Sequence, residues 1–149
     1  MKKLTSIGFI FVLALATSYS CNFLANNNLG NNFSLLEGDK MEDRIIVYCT
    51  GESFGSCYSG VPVIPSREDT LTLYVIEAKS DADWIIVKTK STDKTIKYWV
   101  VDKRFKMKFE YDDEGKFYEF IQKQVIGPYE KDEFNNQLKD RNINLDFND

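Results

Sequence analysis

Leu71-Thr-Leu-Tyr-Val-Ile-Glu-Ala-Lys79, Trp84-Ile-Ile-Val-Lys-Thr89 and Thr95-Ile-Lys-Tyr-Trp-Val-Val-Asp102 decide the fold class. In the first run Leu71, Leu73 and Val75 alternate with Thr72, Tyr74 and Ile76, the period of an extended strand. The second and third are short and rich in β-branched and aromatic residues, which pack well on a pleated surface. Asp81-Ala-Asp83 and Ser91-Thr-Asp-Lys94 separate the three runs. Short polar turns between extended runs predict an antiparallel meander.

Upstream of this meander, Arg44 to Cys49 reads as a further strand. Gly60-Val-Pro-Val-Ile-Pro65 is extended too, but its prolines cannot donate to a ladder, so an edge position is expected. Downstream, Phe105, Met107, Phe109 and Tyr111 alternate with Lys106, Lys108 and Glu110, the pattern of a strand with one wet face. Asp112-Asp-Glu-Gly115 then suits a hairpin turn. Lys116 to Gln124 has two readings, because Phe117, Phe120, Ile121 and Val125 also form a helical stripe capped by Asp113; the hairpin is slightly favoured. Gly127-Pro128 breaks the chain. Beyond it, Glu130, Asp132 and Glu133 in a first turn, and Lys139 and Arg141 near a last turn, match the polarity of a helix. Phe134 and Leu138 form the inner stripe of that helix and Asn142 closes it. Ile143, Leu145 and Phe147 alternate as a short final strand. The expected class is α+β, mainly an antiparallel sheet with a C-terminal helix.

The N-terminus carries an export signature. Lys2 and Lys3 precede the apolar run Ile7 to Ala16, which is too short to span a bilayer, and small residues lead to Cys21. Residues 1–20 therefore read as a lipoprotein signal peptide and Cys21 as the acylated residue. Ser18-Tyr-Ser20 lacks the usual branched aliphatic residue, and cleavage after Ala14-Leu-Ala16 is the competing reading. Residues 21–32 contain six asparagines after the cysteine and read as a flexible tether, leaving 33–149 as a single β-rich domain. Asn22 is not the aspartate that retains lipoproteins at an inner membrane, and no acidic run follows it. By resemblance to the sorting rules of such lipoproteins, the expected location is the periplasmic face of the outer membrane, with a lipid anchor as the membrane contact; in a Gram-positive source the same signal would place it on the outer face of the plasma membrane.

With Cys21 acylated, Cys49 and Cys57 remain. In an oxidising compartment such a pair is expected to form a structural disulfide across Thr50 to Ser56, rather than a redox centre of Cys-x-x-Cys spacing.

Composition restricts the chemistry. The 149 residues include no histidine. Triads that use an imidazole base are excluded, and a typical zinc site is disfavoured. No phosphate-binding glycine loop or calcium-loop spacing occurs, and no cofactor is expected. Abundant carboxylates leave a two-carboxylate glycosidase open, but nothing marks a pair. The formal charge is −4, and loss of Lys2 and Lys3 with the signal makes it −6. The densest basic stretch, Lys103-Arg-Phe-Lys-Met-Lys108, is followed by Glu110, Asp112, Asp113 and Glu114, and reads as a solvated strand face. Nucleic acid is not an expected partner. A basic protein, such as a toxin or a lysozyme, suits the acidic charge.

Aromatic content is high: eight Tyr, eleven Phe and two Trp. Trp84 and Trp99 have two readings, as core packing or as an exposed platform for a glycan or a protein. Cys49, Ser59-Gly-Val-Pro-Val-Ile-Pro65, Tyr98-Trp-Val-Val-Asp-Lys103 and Val125-Ile-Gly-Pro-Tyr129 with Phe134 resemble a family of small bacterial envelope lipoproteins, common in Bacteroidetes and catalogued as a domain of unknown function. The resemblance implies export and a β-rich domain, and it brings no activity. The expectation is a non-enzymatic, lipid-anchored binding module, with an immunity or inhibitor role as its sharpest form. The alternative is a histidine-free carbohydrate-active enzyme or a glycan-binding protein.

Overall fold

The computed structural model describes residues 27–53, 56–70, 72–106 and 114–147. Two four-stranded antiparallel sheets form among them. The first is β1 (Asn28–Gly30), β2 (Phe33–Leu36), β3 (Ile45–Ser53) and β4 (Ser56–Ile64), paired in chain order. The second is β5 (Leu73–Ser80), β6 (Trp84–Ser91), β7 (Ile96–Asp102) and β8 (Val125–Tyr129), also in chain order. Helix α1 (Glu114–Gln122) precedes β8, and helix α2 (Lys131–Asp140) follows it.

The alternation of side chains sets the layers. Phe33 and Leu35, Ile46 and Tyr48, and Val61 and Val63 point from the first sheet into one core. Val75, Ile85, Val87 and Val101 meet them from the second sheet, and Phe117 and Ile121 of α1 close the gap. Aromatic edges meet faces inside this core: the Phe33 and Tyr48 centroids lie 5.1 Å apart at 86°, and Tyr48 and Phe117 lie 5.6 Å apart at 67°. Such edge-to-face pairs are the favoured arrangement of ring quadrupoles. The opposite face of the second sheet is apolar as well. Trp84, Ile86, Tyr98 and Val100 pack under Phe134 and Leu138 of α2 and under Ile143. Phe134 stacks on Tyr98 at 5.0 Å, and Phe147 stacks on Phe134 at 5.8 Å. The second sheet is thus the middle of three layers.

The expected meander is observed over 73–102 as β5, β6 and β7, with Leu71 outside the described residues, and Gly60–Ile64 falls in the edge strand β4, which ends just before Pro65. Four expectations are corrected. Residues 116–122 are helical, not the return of a hairpin. Phe117 and Ile121 are one helical turn apart and both reach the core between the sheets, at 4% and 0% exposure, while Glu119, which alternation would place on the same face, is exposed. Gly127-Pro128 does not end the sheet but lies inside β8, where an edge position tolerates the missing proline N–H. Gly127 has φ +133, and a Cβ there would stand 2.9 Å from the Tyr98 carbonyl oxygen, so glycine is required. Ile143, Leu145 and Phe147 form no strand; they pack irregularly against the outer core. The folded domain also starts before residue 33. Asn28–Gly30, expected in the tether, pairs with β2 and buries Leu29, while Asn31 and Asn32 take the left-handed turn that asparagine tolerates. The expected strand over 105–111 is not formed through 106, and its remainder, with Asp112 and Asp113, lies outside the described residues.

Both faces of the middle sheet are expected to carry stability. Ile85→Ala on one face and Ile86→Ala on the other should each cost about 2–5 kcal/mol in urea unfolding, the range for emptying a buried isoleucine site. A near-neutral Ile86→Ala would mean that α2 does not cover this sheet.

Candidate functional site

The β3–β4 hairpin carries the most exposed large apolar side chain among the described residues. Cys49, 3% exposed, sits on β3 and is disulfide-bonded to Cys57 of β4 with Cα atoms 5.6 Å apart. The paired register shifts three times, between Ile46 and Val47 and, next to the bridge, between Cys49 and Gly51 and between Gly51 and Glu52. Such bulges twist a hairpin and re-aim its side chains. Tyr58 follows the bridge and is 74% exposed. Its ring lies on Gly51, where a Cβ would come within 2.6 Å of the ring carbon Cζ. One face of the ring therefore rests on backbone, and a larger residue at 51 would displace it. In the same hairpin the Thr50 and Ser59 hydroxyls are 3.2 Å apart. Exposed Glu52, Ser53 and Ser56 complete the described tip, which carries one charge.

This tip lies far from where the chain enters the domain. Asn27 accepts a hydrogen bond from the Leu35 N–H at 2.8 Å, and Leu35 pairs with Ile46 near the start of β3. Ser53 is seven residues further along β3, or about 23 Å at ~3.3 Å per residue.

Trp84 and Trp99 do not share a surface. Trp84 belongs to the outer core under α2 and is 6% exposed, whereas Trp99 packs half-buried against the inter-sheet core. The Trp99 indole N–H donates to the buried Thr89 hydroxyl at 2.9 Å. A platform built from both rings is excluded by the alternation of neighbouring strands.

The basic stretch that begins at Lys103 is not simply a solvated face. Lys103 is 4% exposed, and its ammonium donates to the Leu29 carbonyl at 2.6 Å and to the Asp81 carbonyl. It thereby ties β1 of the first sheet to the β5–β6 turn of the second. Burial pushes its pKa below the ordinary lysine value, with Asp81 and Asp83 opposing. Next to it, Arg104 lies over the Trp84 ring, 4.2 Å from its centroid, and makes a two-point contact with Asp102 at 3.0 and 2.7 Å. Hydrogen bonding from Arg104 holds the Asp102 carboxyl below the usual carboxylate range. Asp81 turns back to accept from the Asp83 and Trp84 N–H groups. On the β6–β7 turn, the Ser91 hydroxyl and the Thr95 N–H lower Asp93 to about 2. Asp93 and Asp102 are held as anions by the groups that hydrogen-bond to them, an arrangement that fixes local structure rather than shuttling protons.

A concavity of about 330 Å³ lies between α2 and the C-terminal segment and is lined by Asn135, Leu138, Lys139, Ile143 and Asp146 among others. Among the described residues no group of three or more His, Cys, Asp and Glu side chains is placed to hold a metal ion. Cys21, the proposed acylation site, lies outside the described residues. No helix among the described residues is long and apolar enough to cross a membrane.

The sequence reading missed both Tyr58 and Lys103. For Tyr58 the usable signal was a tyrosine between serines, glycines and a cysteine, which leaves it few neighbours to pack on. For Lys103 it was a lysine directly after Trp-Val-Val-Asp, continuous with a buried strand. Compared with protein-family models, with curated proteins and with solved structures, the chain gives no significant match.

Two outcomes follow for stability. Replacing Cys49 and Cys57 together by Ala should lower stability by about 2–3 kcal/mol, the loop-closure value for a bridge this short, read by urea midpoint. For Lys103, the native state releases its proton at lower pH than the unfolded chain does. The unfolded chain then binds more protons in the window below 10.5, so stability rises with pH there. Lys103→Met should remove that rise and cost about 2–4 kcal/mol at neutral pH, because two buried carbonyls lose their donor. A stability unchanged by Lys103→Met would show that the clamp contributes nothing.

Proposed function

We propose that this chain is a lipid-anchored protein of the cell envelope whose folded domain binds another macromolecule and catalyses no reaction. The observation that carries this reading is the disulfide-braced β3–β4 hairpin, which presents Tyr58 at 74% exposure well away from the point where the chain enters the domain. A tyrosine on a rigid support offers a large contact area at small entropic cost, and surrounding Ser and Gly residues supply adaptable hydrogen bonding. The bridge restrains the hairpin before any partner arrives, which lowers the ordering cost of association.

The export signature, Cys21 and the resemblance to small envelope lipoproteins support the anchored location, with the periplasmic face of the outer membrane as the proposed site. The charge of −6 left without residues 1–20 suits a basic partner, a toxin or a lysozyme, by speeding encounter. An immunity or inhibitor protein is the sharpest form of the reading. Glycan binding is the second reading, favoured by one observation: a single exposed flat ring on a hairpin that also carries the paired Thr50 and Ser59 hydroxyls.

The test is binding by the purified protein to candidate basic proteins and to envelope glycans, with hydrolysis of peptidoglycan, glycans and esters followed in parallel. Tyr58→Ala should weaken binding at least about tenfold, the effect of a central aromatic anchor, while its exposure leaves stability within about 0.5 kcal/mol. Association with a basic protein should slow steeply with salt, since exposed charges are screened beyond about 8 Å at physiological ionic strength. Turnover that disappears when a single Asp or Glu is replaced would contradict the proposal and favour the enzyme alternative.

A further inference from the structure

We infer that the end of the domain around Leu36 and Met41 seats on a zwitterionic phospholipid surface, so that the anchored protein stands on the membrane with the Tyr58 hairpin pointing outward. The inference rests on the anchored reading above. Three large hydrophobic side chains are exposed among the described residues: Leu36 at 36%, Met41 at 55% and Tyr58. Tyr58 lies on the distal hairpin. The other two occupy the end of the first sheet where the chain enters, because Leu36 directly follows Leu35, the residue bonded to Asn27. Met41 opens the short 3-10 turn Met41–Asp43 in the connection to β3.

Chain length makes this placement consequential. Only five residues separate Cys21 from Asn27, a span of roughly 20 Å at full extension over the six Cα–Cα steps. A lipid on Cys21 therefore holds the Leu36–Met41 end within that distance of the headgroups, a limit that does not apply to the distal hairpin. At such short range the effective concentration of bilayer surface is high, and a small apolar contact suffices. Leu36 and Met41 are suited to the boundary between headgroups and acyl chains, where apolar side chains of surface-bound segments settle.

The charges decide which surface. Glu37, Asp39, Glu42 and Asp43 stand against Lys40 and Arg44 in this connection, a net charge of −2. Arg44 is already engaged by Glu37 at 2.8 Å and by the Ile76 carbonyl at 3.2 Å. An anionic surface would be repelled. A zwitterionic one offers ammonium groups to the carboxylates of this connection.

Amide hydrogen exchange of the full chain tests the inference, comparing vesicles of phosphatidylethanolamine and phosphatidylcholine with the same protein released by Cys21→Ser. Exchange over 36–43 should slow several-fold on the vesicles, while 50–59 of the distal hairpin should not change. Leu36→Glu with Met41→Glu should abolish the slowing while the chain remains vesicle-bound, and vesicles rich in phosphatidylglycerol should give less of it. If Cys21 proves unacylated, coupling its thiol to a maleimide-bearing lipid holds the chain at the same distance, and the same comparison reads the docking separately from the natural anchor. Equal exchange over 36–43 in the tethered and released forms, or slowing centred on 50–59, overturns the inference.

Discussion

The sheet of β5 to β8 must be apolar on both faces, and the rest of the architecture follows from that constraint. Ile85, Val87 and Val101 need cover on one side, while Trp84, Ile86, Tyr98 and Val100 need it on the other. The first sheet supplies one cover, and α2 with the segment through Phe147 supplies the second. A sheet buried this way contributes hydrophobic stabilisation from both surfaces, roughly in proportion to area. It also leaves the first sheet as an outer layer whose β3–β4 hairpin can project without opening the core.

Some of the polar groups at the sandwich ends are satisfied by a few directed contacts. Lys103 supplies an ammonium where the β1 and β5–β6 backbones would otherwise face each other with unpaired carbonyls. Buried polar groups left without partners cost more than most single contacts return, so this lysine is as much a fold determinant as any core valine. At β4 the Gln122 side chain of α1 donates to the Val63 carbonyl at 3.2 Å, which covers part of an edge that could otherwise recruit another strand. These contacts keep one end of the molecule distinct from the other. Leu36 and Met41 lie where the chain enters, and Tyr58 lies on the far hairpin.

Much of this was legible in the residues because periodicity and turn chemistry act locally. The meander over 73–102, the edge strand with its proline, the helix carrying Phe134 and Leu138 and the Cys49–Cys57 bridge all express short-range rules. What was not legible depends on long-range partners. Phe117 and Ile121 fit a hairpin or a helix until the gap between two sheets is known to need both. Val125 to Tyr129 reads as a break because Gly127 and Pro128 are strong breakers, and only the neighbouring Tyr98 carbonyl reveals a sheet edge. Lys103 looks solvated until Leu29, some seventy residues earlier, is placed beside it. Among the site residues, the bridging cysteines were readable, Tyr58 was not singled out, and the tryptophans were read without knowing that they face opposite cores.

The functional assignment joins a rigid, exposed hairpin to a short connection leading back to Cys21, and the orientation of the whole domain depends on that one residue carrying a lipid. Intact mass of the protein extracted from membranes tests this most directly. The expected species is a chain that begins at Cys21 with the added mass of its acyl groups. An unmodified chain that begins at Thr17 would contradict the anchored, oriented binding module proposed for this protein.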